Sequence, residues 1–362
     1  MNIKSLLLGS AAALAAVSGA HAADAIVAAE PEPLEYVRIC DAYGAGYFFI
    51  PGTETCLKVG GMVRTEGKWY DAYNANSRNG TLWHTRAQLA LDTATDTEYG
   101  PLKTNTVIRW DWQEGNTTST KLLWANISLG GFLVGKADSQ FNYYMGYAGD
   151  VMNDDVIYDG PYELNQLTYN YDAGNGFTAV VSLEDSNSGS DSTTYSGAWV
   201  QSKANHYAPN VVAGAGYKVG GFGFKIVGGY DSIVEEGAIK ARIDADFGFM
   251  TAFLMGGWNT NGDKLNQYAG SNLNASACPA NRGDLCGWGD WAVWGGVGVP
   301  INEKLKWNLQ LAYTDSKIFE ATTNLKFTPV KGFLVEPEVT YTNFDSVNQD
   351  QWAGILRFQR SF

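Results

Sequence analysis

The sequence predicts an all-β fold, a closed antiparallel transmembrane β-barrel of sixteen strands. Three observations carry that prediction. The chain opens with an export leader, its segments alternate apolar and polar residues with a period of two, and short connections alternate with long ones.

Lys4 supplies a positive start, Leu6 to Val17 an apolar run, and Ala20-His21-Ala22 a small-residue cleavage site. Residues 1–22 are therefore expected to be a signal peptide, cut before Ala23. That run is too short to span a bilayer, and no later stretch reaches the roughly 18 apolar residues a membrane helix needs. The exported chain must cross a membrane with strands if it crosses at all.

Composition narrows the class. The chain has 25 basic and 38 acidic residues, a formal charge of −13, which argues against nucleic acid as a partner. Its 42 Gly, 20 Tyr, 16 Phe and 12 Trp suit tight turns and interfacial aromatic girdles.

The alternation begins at residue 57. Leu57, Val59, Gly61, Val63, Thr65, Gly67 and Trp69 share one face of a strand; Lys58, Gly60, Met62, Arg64, Glu66 and Lys68 share the other. The pattern returns from Trp83 to Leu91, Thr104 to Trp110, Ile239 to Phe247, Leu305 to Tyr313 and Phe333 to Tyr341. A soluble barrel turns its apolar face inward, whereas a membrane barrel turns it to lipid and lines the lumen with charge. A single strand looks the same in both. Aromatic residues at the strand ends favour the membrane version, among them Trp69, Trp110, Trp112, Tyr169, Tyr171, Trp307, Tyr313 and Tyr341.

Connections then sort the two ends. Short ones fall near residues 93–100, 130–131, 175–176, 220–221, 248, 301–303 and 329–331. Long polar ones fall near residues 71–80, 113–120, 139–163, 185–209, 260–287 and 343–350; shorter ones near 231–236 and 314–317 share their side. This matches periplasmic turns and external loops. Closure is required because an open edge in lipid would leave backbone groups unpaired at several kcal/mol each. Residues 23–55, with Pro31, Pro33 and Pro51, read as a periplasmic leader segment, and residues 56–362 as the barrel.

Cys40, Cys56, Cys278 and Cys286 are an even set in an exported chain, which suggests two disulfides. Four cysteines permit three pairings. The topology puts the first two at the periplasmic side and the last two in an external loop, which favours Cys40–Cys56 and Cys278–Cys286. Neither spacing resembles a zinc site. Asp154 and Asp155 do not have the spacing of an EF-hand, so no metal or other cofactor is expected. Only His84 and His206 remain after leader removal, and neither sits as a lipase base would; no enzyme activity is expected.

Three stretches resemble the general-diffusion porins of alphaproteobacteria, the Rhizobiales type. The first is Glu35-Tyr-Val-Arg-Ile-Cys-Asp-Ala-Tyr-Gly-Ala-Gly-Tyr-Phe-Phe-Ile-Pro-Gly-Thr-Glu-Thr-Cys56. The second is Tyr147-Ala-Gly-Asp-Val-Met-Asn-Asp-Asp-Val-Ile157, and the third is the terminus Leu356-Arg-Phe-Gln-Arg-Ser-Phe362. The resemblance implies a homotrimer in the outer membrane, in contact with lipid and lipopolysaccharide, that passes small hydrophilic solutes by passive diffusion. It also implies that the third external loop, residues 139–163, folds inward to narrow the pore. Phe358 and Phe362 resemble the C-terminal signal read by the barrel-assembly machinery.

The residues fit that implication. The loop carries Asp150, Asp154, Asp155, Asp159 and Glu163 with no Lys or Arg. The lumen parity of the first three strands carries Lys58, Arg64, Lys68, Arg86 and Arg109. Acids facing bases across the narrowest point would set ion preference by electrostatics. At about 0.15 M salt the Debye length is about 8 Å, so such charges act only where the lumen is narrow. A substrate-specific channel is the nearest alternative; it would need aromatics on the lumen face, for which Trp124, Trp258 and Trp294 are the candidates. A surface receptor or adhesin barrel would use the long loops at 185–209 and 260–287.

Overall fold

The structure is a computed structural model; it describes residues 38–71, 80–154, 156–185, 208–271 and 283–362. Residues from Ile39 onward form one compact unit. After a three-residue strand, β1 (Tyr47–Phe49), come sixteen barrel strands. They are β2 (Cys56–Tyr70), β3 (Gly80–Thr95), β4 (Leu102–Gln113), β5 (Ser119–Leu129), β6 (Phe132–Asp138), β7 (Glu163–Asp172), β8 (Phe177–Glu184) and β9 (Asn210–Val219). The second half is β10 (Phe222–Asp231), β11 (Glu236–Asp246), β12 (Thr251–Asn259), β13 (Trp291–Asn302), β14 (Leu305–Thr314), β15 (Ile318–Val330), β16 (Phe333–Phe344) and β17 (Gln349–Ser361).

Each strand pairs antiparallel with its neighbours in sequence, and β17 returns to pair with β2, Phe358 opposite Thr65 and Leu356 opposite Gly67. The ring is closed and leaves no edge to satisfy in lipid. The C-terminal residue completes the seam, its amide bonded to the Gly61 carbonyl at 3.0 Å and its carbonyl accepting from the Gly61 amide at 3.1 Å.

The turns follow from the residues that form them. The β5–β6 connection is Gly130-Gly131, both at positive φ (58° and 89°), the requirement of a two-residue hairpin whose twist matches its strands. A Cβ at Gly131 would stand 2.7 Å from the Asn170 carbonyl of β7, so the turn also needs the missing side chain for space.

Burial decides what strand alternation left open. Val63 is 53% exposed and Leu254 57%, whereas Glu66 is 2% and Glu320, Glu184 and Lys240 are 0% exposed. The apolar face points out and the polar face in, the inverse of a soluble barrel. Two belts of outward aromatics rim the band. Tyr341 packs on Trp352 at 5.0 Å on the long-loop side, and Phe132 on Tyr169 at 4.8 Å on the short-turn side.

Residues 39–55 lie against the short-turn rim. The Cys40–Cys56 disulfide closes this segment, β1 pairs with the start of β2, and the Tyr43 hydroxyl donates to Asp96 of the β3–β4 turn at 2.7 Å. Cys286 is disulfide-bonded; Cys278 lies outside the described residues.

Candidate pore constriction

The connection between β6 and β7 does not leave the barrel. It starts with a one-turn helix, Gln140–Tyr143, capped by the Ser139 side chain, which accepts from the Phe141 amide. Glu184 of β8 fixes this start: it accepts from the Ser139 hydroxyl (2.8 Å) and the Gln140 amide (2.9 Å). Tyr144 then lies on the wall strand β9, where Gly214 leaves room for its ring and Gly216 for its hydroxyl: a Cβ would stand 3.0 Å from the ring at Gly214 and 2.9 Å from the hydroxyl at Gly216. Lys225 of β10 donates to the Tyr144 carbonyl, and Arg242 of β11 to the carbonyls of Gly146 and Tyr147.

The loop tip reaches the far side of the barrel. Glu338 of β16 accepts from the amides of Met152 (2.6 Å) and Asn153 (2.7 Å). Asn324 of β15 donates to the Asp150 carbonyl at 3.0 Å, and Thr322 to that of Asn153 at 3.3 Å. The Asp150 carboxylate takes Lys306 of β14 at 2.8 Å and also Lys326 of β15. Burial works to raise the Asp150 carboxyl, but the hydrogen bonds and charges of the two lysines outweigh it and hold the group below the ordinary carboxylate range. Between Arg242 and Lys306 remains a polar recess of about 290 Å³, lined also by Asp150, Asp244, Thr251 and Asn308.

The other loop acids sit elsewhere. Asp159 is fully buried at the loop base, where it accepts from the Asn142 side chain at 3.1 Å. Burial pushes its carboxyl up, partly offset by the nearby Lys240 ammonium. Glu163 is the first residue of β7, buried and in register with Asp138. Asp154 is half-buried at the tip, and Asp155 lies outside the described residues. A loop held on a wall must spend part of its polar groups on anchorage, so a run of acids cannot all face the lumen.

The basic residues singled out on the first three barrel strands share the inward face. Arg64 stands opposite Arg86 in the ladder and Gln88 opposite Arg109. Arg64 donates to Gln359 at 2.8 Å, Lys68 pairs with Glu66 at 3.2 Å, and Arg86 with Asp111 at 2.6 Å. Lys58, nearer the short-turn end, lies over the Tyr47 ring at 5.8 Å.

Sequence reading missed what joins this wall to the loop tip. Lys326 is 3.7 Å from Glu336, Arg357 bridges Glu336 (3.6 Å) and Glu66 (2.6 Å), and His84 bridges Glu66 and Asp111 at 2.9 Å each. A chain of ion pairs and hydrogen bonds thus runs from Asp150 across β15, β16, β17, β2, β3 and β4. Its members share the inward parity, but only closure of β17 on β2 makes Arg357 and Glu66 neighbours. The lumen aromatics also resolve. Trp258 points outward, Trp294 is fully buried against Trp288, and the Trp124 indole donates to Asp138 at 2.8 Å. These three side chains form no aromatic track along the lumen.

A family profile described as the porin subfamily matches residues 24–357. The chain belongs to the porin family. It is 44% identical, over 380 aligned positions spanning all of both chains, to "Porin Omp2b" of Brucella suis biovar 1, and equally to that of Brucella abortus (strain 2308). Among solved structures, this porin resembles the outer membrane channel DcaP of Acinetobacter baumannii (TM-score 0.63, 17% identity, 87% of this chain and 99% of that one). It also resembles the anion-selective porin from Comamonas acidovorans (TM-score 0.55, 12% identity, 85% and 100%). At those identities the likeness is one of fold. The chain is an outer-membrane porin, a channel built as a multi-pass β-barrel.

Proposed function

We propose that small hydrophilic solutes and ions diffuse passively through the gap between the Asp150 tip of the inward loop and the wall bearing Lys58, Arg64, Lys68, Arg86 and Arg109. The observation that carries this is where the loop is anchored. The bonds described above fasten it to β8, β10, β11 and β14–β16, so it narrows the lumen from that side and faces the basic wall across what remains. Asp150, with Asp154 beside it, supplies the acidic side of the gap. Asp155 belongs to the same segment by sequence, while Asp159 and Glu163 hold the loop base. Phe358 and Phe362 act as the assembly signal, and the barrels associate as a homotrimer within outer-membrane lipid and lipopolysaccharide.

In planar bilayers the purified protein should insert in steps of three equal conductances, with solute flux linear in concentration. A protein that assembles but never conducts would overturn this function. Saturable flux for one solute would move it to the substrate-specific class, which the buried or outward placement of Trp294 and Trp258 disfavours.

A further inference from the structure

The connection between β12 and β13 reads in sequence as a free external loop. Its described residues, 260–271 and 283–290, contradict that. Leu265, Asn266, Gln267, Tyr268, Ala269 and Trp288 are all buried. Tyr268, Ala269 and Trp288 join Phe141, Met145, Ala148 and Ile157 of the inward β6–β7 loop in one apolar cluster inside the barrel. We infer that these residues form a clamp that positions the constriction loop, with Trp288 and Tyr268 as its positioning residues. The inference rests on the diffusion pathway proposed above.

The contacts are specific. The Trp288 indole N–H donates to the Tyr158 carbonyl at 2.5 Å, and the Tyr158 hydroxyl donates to the Gln267 carbonyl at 2.8 Å. The Tyr268 hydroxyl reaches Glu184 at 3.1 Å, the same carboxylate that holds Ser139 and Gln140, and its ring meets Phe141 at 5.0 Å. Both ends of the constriction loop are therefore held by one partner segment. That segment is itself tied to the wall: Ser316 donates to the Gly287 carbonyl at 2.6 Å, and the Gln267 amide to Asp231 at 2.9 Å.

The barrel strands carry matching recesses. A Cβ at Gly257 of β12 would lie 2.6 Å from the Trp288 ring, and one at Gly229 of β10 would lie 2.6 Å from the Tyr268 ring. Glycine at these two inward positions admits each ring to the wall, where any other residue would displace it. A loop serving only as an external receptor surface would not need its aromatic residues seated on strand glycines behind the constriction.

Single-channel recording on the full-length protein tests this, with Trp288→Ala and Gly257→Ala as separate variants and as a pair. Each single variant should retain the heat-modifiable electrophoretic shift of a folded barrel. Each should also show frequent conductance substates and pass larger sugars in liposome-swelling assays. The pair should be no worse than Trp288→Ala, because the added methyl then meets no ring. Trp288→Phe should recover most of the quiet open state. The clamp is overturned if both single variants keep wild-type conductance, noise and size cut-off. It is equally overturned if both abolish barrel assembly, which would make the ring a folding element. A wild-type protein that forms no channel would instead overturn the diffusion pathway.

Discussion

At Asp150 burial and pairing act against each other. Burial favours the neutral acid; the ammonium groups of Lys306 and Lys326 favour the anion and prevail. A carboxyl held below its ordinary value of 3.8 stabilises the docked tip at every pH above that value. The contribution fades only as pH falls through the lower value of the docked state. The part of the single-channel noise that differs between wild type and Asp150→Asn should thus stay constant from about pH 8 to about pH 5 and vanish only in strong acid, below the ordinary carboxylate range. The side chain is 47% exposed, so its pairs are worth under about 1 kcal/mol, and Asp150→Asn should leave the barrel folded. The same substitution should move the reversal potential in a salt gradient towards anions, because it leaves Lys306 and Lys326 uncompensated at the gap. Asp154→Asn should shift it in the same direction by less. No shift for Asp150→Asn would place the conducting path away from the loop tip.

Individual elements show which local signals were sufficient. The hairpins are legible because their turns need residues that accept positive φ or leave space. Gly131 does both, so Gly131→Val should cost about 1–3 kcal/mol and lower the temperature at which the folded band is lost on electrophoresis. The segment at residues 39–55 is legible through its cysteines. Breaking Cys40–Cys56 by Cys40→Ser removes a cross-link worth about 2–4 kcal/mol, yet it lies at the short-turn rim. Thermal stability should fall while conductance and ion preference stay unchanged. The two long connections that enter the lumen were not equally legible. That at 139–163 carries an acidic run and resembles a known stretch; that at 260–290 offers mostly polar and small residues, with three leucines and two aromatics scattered among them, a composition close to that of an exposed loop. Nothing local in Tyr268 or Trp288 says that glycines on β10 and β12 leave room for them.

For the whole molecule, closure is the deciding event. The seam between β17 and β2 ends on the reciprocal bonds between Phe362 and Gly61, and it brings Arg357 to Glu66. Deleting Phe362 should reduce the yield of heat-modifiable barrel in outer-membrane fractions. A yield equal to wild type would remove the last residue from the assembly signal. Closure also turns a list of inward residues into a surface. Arg64, Arg86 and Arg109 share the inward parity on three consecutive strands, and only the closed ring sets Arg357, far away in sequence, beside them.

The sequence by itself determined the parity of each strand and the sorting of short and long connections to opposite ends, and hence the barrel. These depend on a two-residue period and on turn chemistry, both local. Tertiary structure decided the rest. It turned the apolar face outward and gave Asp150 rather than Asp159 the two lysines. It buried Glu163 at the foot of the loop and brought residues 265–269 and Trp288 of the β12–β13 connection inside. The lysine pairs of Asp150 and the contacts of Tyr268 with Phe141 and Trp288 with Tyr158 join segments a hundred or more residues apart. Such contacts exist only after the sheet has closed, so no local pattern specifies them.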